Sequence, residues 1–114
     1  MKTELEGRTK RFSLALIAAL KSFPKNYLGD VIGRQLLRSG TSVGANYREA
    51  NRAESKADFV HKVNLAEKEA AEALYWLELC QEAGLGDLAG IQALHDEAKQ
   101  ILAILVAIGR NSKK

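Results

Sequence analysis

RSGTSVGANYREANRAESKADFVHKVNLAEKEAAEALYWLELC, residues 38–80, decides the fold. From Phe59 its apolar or small positions fall at Val63, Ala66, Ala70, Ala73, Leu77 and Cys80, in steps of 4, 3, 4, 3, 4 and 3. That spacing draws one seam along one face of a helix. Ser55, with Asp58 three residues later, is an N-cap signature, so the helix starts near Lys56, and Gly84 ends it.

Three more helices follow by working outward. Upstream, a helix over about 27–53 starts at a cap, Asn26 or Asp30, and turns Leu28, Ile32, Leu36, Val43, Asn46 and Ala50 inward. Gly33, Gly40 and Gly44 weaken it by up to about 1 kcal/mol each, which implies that a neighbouring backbone comes close. A break near Gly40 is the alternative, but no proline interrupts the run. The first helix, about 4–22, opens on a capping box of Thr3 and Glu6. It carries Leu5, Phe12, Leu16, Ala19 and Phe23 on one face and stops at Pro24. The last, about 87–109, opens at Gly86 or Asp87 and spaces Ile91, Leu94, Ala98, Ile101, Leu105 and Ile108 along one face to an end near Gly109. Short connections force neighbours to run antiparallel. The expectation is an all-α, up-down-up-down four-helix bundle forming one domain over 1–114.

A chain of 114 residues can bury a core of its own, though not a generous one, so assembly would help it. Seventeen basic and fourteen acidic side chains leave a net charge of +3, so the placement of charge matters more than its total. The single cysteine excludes an internal disulfide and suits a reducing compartment. The apolar run Leu14 to Leu20 is too short to cross a bilayer, and Met1 to Arg11 lacks the pattern of a signal peptide. A cytoplasmic, soluble protein without a membrane partner is expected.

Folding the four helices gathers charge. Arg8, Lys10, Arg11, Arg48, Arg52, Lys56, Lys62, Arg110, Lys113 and Lys114 come to one pole with only Glu4, Glu6, Glu49, Glu54 and Asp58. Glu67, Glu69, Glu72, Glu78 and Glu82, opposed by Lys68, make the second half of the third helix acidic. One reading is an anionic ligand, above all a nucleic-acid backbone, met by Arg and Lys at that pole. A second is a solvated helical stripe, since Arg48, Arg52 and Lys56 are spaced by four. A third is assembly, the basic flank of one subunit pairing with the acidic half-helix of the next.

Assembly also has an apolar argument. In Leu74-Tyr75-Trp76-Leu77-Glu78-Leu79-Cys80 the apolar residues spread beyond the seam, so a small bundle leaves some of Tyr75, Trp76 or Leu79 uncovered as an oligomer interface. Alternatively, Trp76 packs over the bundle edge against the second or fourth helix. The fourth helix is broadly apolar too, with Leu102, Ile104 and Val106 beside its seam.

Catalytic and metal chemistry find no constellation. Bundle di-iron sites use Glu-x-x-His, whereas Asp58 precedes His61 and Gln92 precedes His95. Both histidines sit off the main seams and read as rim residues. Cys80 continues the core stripe among Glu78, Gln81 and Glu82, with nothing nearby to stabilise a thiolate. Ser39, Thr41 and Ser42 have no neighbouring base and bond back to their helix or admit a close neighbour. No cofactor, metal or enzymatic role is expected. Asn46, with Glu49 and Tyr47 beside it, is either a ligand-contacting cluster or a satisfied structural hydrogen bond, the commoner outcome.

Ser42-Val43-Gly44-Ala45-Asn46-Tyr47-Arg48-Glu49-Ala50, then Arg52, Ser55, Asp58-Phe59, Lys68-Glu69-Ala70 and Tyr75-Trp76-Leu77 also carry a resemblance. Together with the Ser22-Phe23-Pro24 turn they resemble the small bacterial four helix bundle protein family, the 23S rRNA-intervening sequence proteins, over about residues 12 to 110. The resemblance implies a left-handed up-and-down bundle assembled as a ring-shaped homopentamer, with no established enzymatic activity. A related branch, the accessory variability proteins of diversity-generating retroelements, implies binding of RNA or DNA and of a reverse transcriptase. The positions here that would meet nucleic acid are Arg38, Arg48, Arg52, Lys56 and Lys62. A protein-interaction scaffold without nucleic acid is the alternative.

Overall fold

The structure, a computed structural model, describes residues 2–113. These residues form four helices, α1 (Lys2–Leu20), α2 (Tyr27–Ala50), α3 (Lys56–Ala83) and α4 (Leu88–Ser112), and no strand. They pack into a rod of 45 × 19 × 19 Å.

Helix α3 follows its heptad. Val63, Ala66, Ala70, Ala73, Leu77 and Cys80 are buried, and Phe59 packs against the same core from a half-buried position. The Ser55 side chain accepts the Asp58 amide, and Gly84 closes the helix in the left-handed region at φ 70°, where a residue without Cβ meets least strain. Helices α2 and α4 pack chiefly on this seam, with Leu36 and Val43 from one and Ile91, Leu94, Ala98, Ile101 and Leu105 from the other.

Helix α2 is continuous through its glycines. Asn26 accepts the Gly29 amide at 2.9 Å, and a Cβ at Gly29 would collide with the Pro24 carbonyl, so this turn requires a glycine. The buried stripe runs Leu36, Ser39, Gly40, Val43, Tyr47 and Ala50. This corrects the expected inner face. Leu28 is exposed, Ile32 only borders the core, and Asn46 gives way to Tyr47: from Val43 the buried stripe steps four to 47 and then three to 50, where three to 46 and then four would have served the spacing equally.

Helix α1 is fastened to α2 by absent side chains. A Cβ on Gly40 would collide with Leu16, and one on Gly44 would lie 3.1 Å from the Thr9 hydroxyl. Gly33 faces Leu20 and Phe23 at 3.6 Å, and Asn51 reaches Glu6, so contacts fall along α2 as they rise along α1. The close neighbour anticipated from the glycines is mostly α1 side chain rather than backbone. Thr9, buried here, donates to the Leu5 carbonyl at 2.9 Å.

Element ends differ in four places. Helix α2, expected to run to about Ala53, stops at Ala50, with Asn51 as its C-cap. Thr3 lies inside α1 and caps nothing, since no helix-breaking residue stops α1 short of Lys2; Met1 falls outside the described residues. At the other end α1 stops at Leu20, and Phe23, buried at 7% exposure, joins the core from the turn before Pro24, which disfavours helical backbone at its predecessor. Gly109 does not end α4. It is buried in the helix interior with its missing Cβ 3.5 Å from Asn64 Oδ1, so it serves close packing on α3, and α4 runs on to Ser112.

One ion pair ties α1 to α4. Arg8 donates to both oxygens of Glu97, at 2.7 and 2.8 Å, and to Gln100 at 2.7 Å. The hydrogen bond from Arg8 first, and then the charges of Arg8 and Arg11, hold the Glu97 carboxyl below the usual glutamate range against the opposing effect of burial.

Two predictions follow from this packing. Gly40→Val, forced onto Leu16, should lower unfolding stability by about 1–3 kcal/mol, read as a lower urea midpoint at unchanged m-value. A carboxylate with a depressed folded pKa contributes stability above its unfolded value, about 4.3, and loses it as pH falls. Glu97→Gln should therefore lower the urea midpoint at pH 7, and the gap from the parent should narrow as pH falls below the unfolded value.

Candidate nucleic-acid interface

The seam between α1 and α2 opens toward the ends where α1 begins and α2 finishes. There it forms a groove of about 390 Å³ lined by Glu6, Thr9, Lys10 and Ser13 from α1 and Thr41, Gly44, Ala45, Arg48, Glu49 and Arg52 from α2 and the turn after it. The α2 contributors recur at 41, 44/45, 48 and 52, one face of a helix, and Gly44 keeps the floor open.

The two carboxylates of the groove are already engaged. Glu6 accepts from Asn51 Nδ2 at 2.8 Å and stands 3.6 Å from Arg48 Nε. Glu49 pairs with Lys62 of α3 at 3.3 Å. Lys10 and Arg52 are exposed and make no ion pair among the described residues. The groove therefore presents two unneutralised cations, Lys10 and Arg52, and a third, Arg48, half exposed and paired at 3.6 Å with Glu6. The Ser13 and Thr41 hydroxyls donate to Thr9 and Leu37 carbonyls, at 3.2 and 2.7 Å, leaving their lone pairs toward solvent. Beneath, Tyr47 is buried, its phenol pushed up in pKa mainly by that burial, and Asn51 Oδ1 is buried without a hydrogen-bond partner among the described residues.

The sequence-derived candidates divide. Arg48 and Arg52 line the groove, and Lys56 is exposed at the first turn of α3. Lys62 is nearby but bound to Glu49. Arg38 stands well down α2, bridging Glu69 at 3.0 Å and Glu72, so its charge is compensated on the α2–α3 face. Glu72 also accepts the Trp76 indole at 3.0 Å; that bond, and next the one from Arg38, pull its carboxyl below the usual range. Arg8, counted with the pole, is committed to Glu97. Lys114 lies outside the described residues. Lys10 was expected at the basic pole but not among the nucleic-acid contacts, Thr41 and Gly44 were read only for helix packing, and Ser13 was not singled out from sequence. The spacing on α2 marks 41, 44, 48 and 52 as one face, but which face α1 covers is a tertiary fact.

Asn46, for which a satisfied structural hydrogen bond was the commoner expectation, donates to the Ser42 carbonyl one turn back at 2.9 Å. Glu49 is exposed in its pair with Lys62. Ser39, Thr41 and Ser42 bond back to carbonyls of α2. His61 is exposed, whereas His95, expected on the rim, keeps only 16% of its side chain accessible beside Glu78 at 3.9 Å. Steps of three and four along α4 put 94 and 98 inward, which leaves 95 on the adjoining edge that α3 covers. No group of three or more metal-ligating side chains occurs among the described residues. The Cys80 thiol, fully buried, is pushed up to about 11 by burial and is unsuited to act as a nucleophile. Tyr75 is 54% exposed and stacks edge-on with Trp76 at 5.2 Å; Trp76 and Leu79 are half buried. No helix is long and apolar enough to cross a membrane among the described residues.

Comparison with known proteins places this geometry in a family. The family model described as 23S rRNA-intervening sequence protein matches residues 2–107. A crystal structure of a protein of unknown function from the S23 ribosomal protein family of Bacteroides thetaiotaomicron superposes with a TM-score of 0.84. It is 34% identical, with 92% of this chain and 97% of that chain covered. No curated protein matches. With nearly its whole length matched, this chain belongs to the 23S rRNA-intervening sequence protein family.

Proposed function

We propose that this protein is a non-enzymatic, cofactor-free accessory factor that binds nucleic acid, structured RNA foremost, through the α1–α2 groove. The observation that carries the reading is the grouping of Lys10, Arg48 and Arg52 around an open groove in which Glu6 pairs with Arg48, Glu49 pairs with Lys62, and Lys10 and Arg52 are left without an ion pair among the described residues. Phosphate contacts need exposed Arg and Lys at a common surface and little else, and they work by releasing condensed counterions. The family's name, which ties it to intervening sequence in 23S rRNA, supports RNA over DNA as the first ligand to test. The subunit is read as an antiparallel, up-down-up-down, left-handed bundle. Assembly into a homopentameric ring, in the cytoplasm, would place several such grooves within reach of one RNA and raise affinity by multivalency.

A second reading, a protein-interaction scaffold with a partner such as a reverse transcriptase, is favoured by Tyr75, Leu14 and Leu28, each more than half exposed. The two readings separate on binding. Affinity for a structured RNA should fall steeply between 50 and 200 mM salt. Lys10→Glu combined with Arg52→Glu should weaken binding at least about tenfold and flatten the salt dependence, while Arg38→Gln, outside the groove, leaves both near the parent values. Fluorescence anisotropy with RNA and duplex DNA of equal length reads all three. Absence of binding at low salt, or binding indifferent to the double variant, removes the nucleic-acid reading.

A further inference from the structure

Two helices that do not run side by side carry complementary uncovered faces. On α1 and the turn after it, Leu14, Ile17 and Lys21 follow at steps of 3 and 4, an outward stripe in which all three are exposed, Leu14 by 56% and Ile17 by 40%. On α3, Ala71, Tyr75, Glu78 and Glu82 make a second exposed stripe. Its apolar part extends onto α2. Arg38 meets Glu69 and Glu72, and seven residues return a helix to nearly the same face. Seven residues beyond those glutamates are Trp76 and Leu79, and seven before Arg38 is Val31, 41% exposed. Val31 therefore stands across from Trp76 and Leu79 and widens the patch that Tyr75 crowns.

The two faces match in kind. Leu14 and Ile17 offer aliphatic bulk followed by Lys21, and the other face offers an aromatic followed by Glu78 and Glu82. They cannot meet within one molecule, because α1 runs beside α2 and α4 and not beside α3, and both stripes face outward. Nor are they one surface used twice, so a contact between them is heterologous and repeats from copy to copy. The seam registers, Gly40 at Leu16 and Arg38 at Glu69 and Glu72, put Ile17 and Tyr75 within about two helical turns of one level.

We infer that the Leu14–Ile17 face of α1 docks on the Tyr75–Leu79 face of α3 in a second copy of this chain. The inference rests on the homo-oligomeric part of the function proposed above and names the surfaces that form it. Subunits joined at that level stand side by side with their α1–α2 grooves toward the same end. The contact leaves Arg48 and Arg52 uncovered and sums their charge on one surface of the assembly.

Mixing complementary variants tests a heterologous contact. Ile17→Asp destroys one face and Tyr75→Asp the other, and Leu14→Glu serves as a second α1 variant should the first lose helicity by circular dichroism. In sedimentation velocity the parent should be a discrete oligomer and each variant alone a folded monomer, with self-association weakened at least about tenfold. An equimolar mixture of the two should form a dimer and nothing larger, because it restores a single intact contact. Variants that keep the parent's mass, or a mixture that stays monomeric, overturn the assignment of these faces while leaving homo-oligomerisation standing. A monomeric parent overturns both.

Discussion

The alanines of α3 set the distance at which everything else packs. With Ala66, Ala70 and Ala73 on the seam, the side chains that fill the core come from the neighbours, Leu36 and Val43 on one flank and Ile91, Leu94, Ile101 and Leu105 on the other. Helices α2 and α4 are thereby pinned to α3, and Gly109 lets α4 stay close to its end. Helix α1 has no place on that seam. It is held by Phe12 and Leu16 reaching the core, by the glycine notches of α2 and by the Arg8 clamp on Glu97. The groove follows from this arrangement: α1 and α2 meet through small residues at Gly40 and Gly44, which leaves a channel between the longer side chains around them, Lys10 from one helix and Arg48 and Arg52 from the other side.

Charge at this pole is decided by pairing rather than by composition. A single Arg or Lys on a helix is ordinary, and its exposed ion pairs contribute little to stability. Pairing nevertheless determines which cations can meet a phosphate. Arg8, Arg38 and Lys62 are each held by carboxylates on a facing helix, and the same contacts fix helix register. Lys10 and Arg52 lack such partners among the described residues, and the carboxylates that line the groove pair with Arg48 and Lys62. Neutralisation elsewhere is what makes a mildly basic protein locally cationic.

Much of this was legible from residue spacing, and the exceptions have physical causes. The seam of α3, its Ser55 and Gly84 caps and the continuity of α2 are local properties, written in period and capping chemistry. The Thr3 capping box failed because a cap motif matters only where a helix needs to stop, and α1 simply extends to Lys2. Asn46 was mistaken for an inward residue because a stripe at 43 and 50 admits either 46 or 47 between them. Packing chose the tyrosine, which fills more of the core. The groove was half legible: Arg48 and Arg52 stand out in sequence, but Lys10, Ser13 and Thr41 become neighbours only once α1 is laid on α2. Arg38 shows the converse, a basic residue whose partners lie 31 and 34 positions away, beyond any local pattern.

The central claim is that the fold frees one group of cations, at the α1–α2 groove, to meet nucleic acid. A titration of isotope-labelled protein with a structured RNA, followed by backbone amide and arginine side-chain NMR signals, tests it most directly. Shifts concentrated at Lys10, Ser13, Thr41, Arg48 and Arg52, with Arg38 and Lys62 unmoved and the changes reversed by added salt, are the predicted result. Perturbation centred on Arg38 and the α2–α3 face, or none at all at low salt, would contradict it.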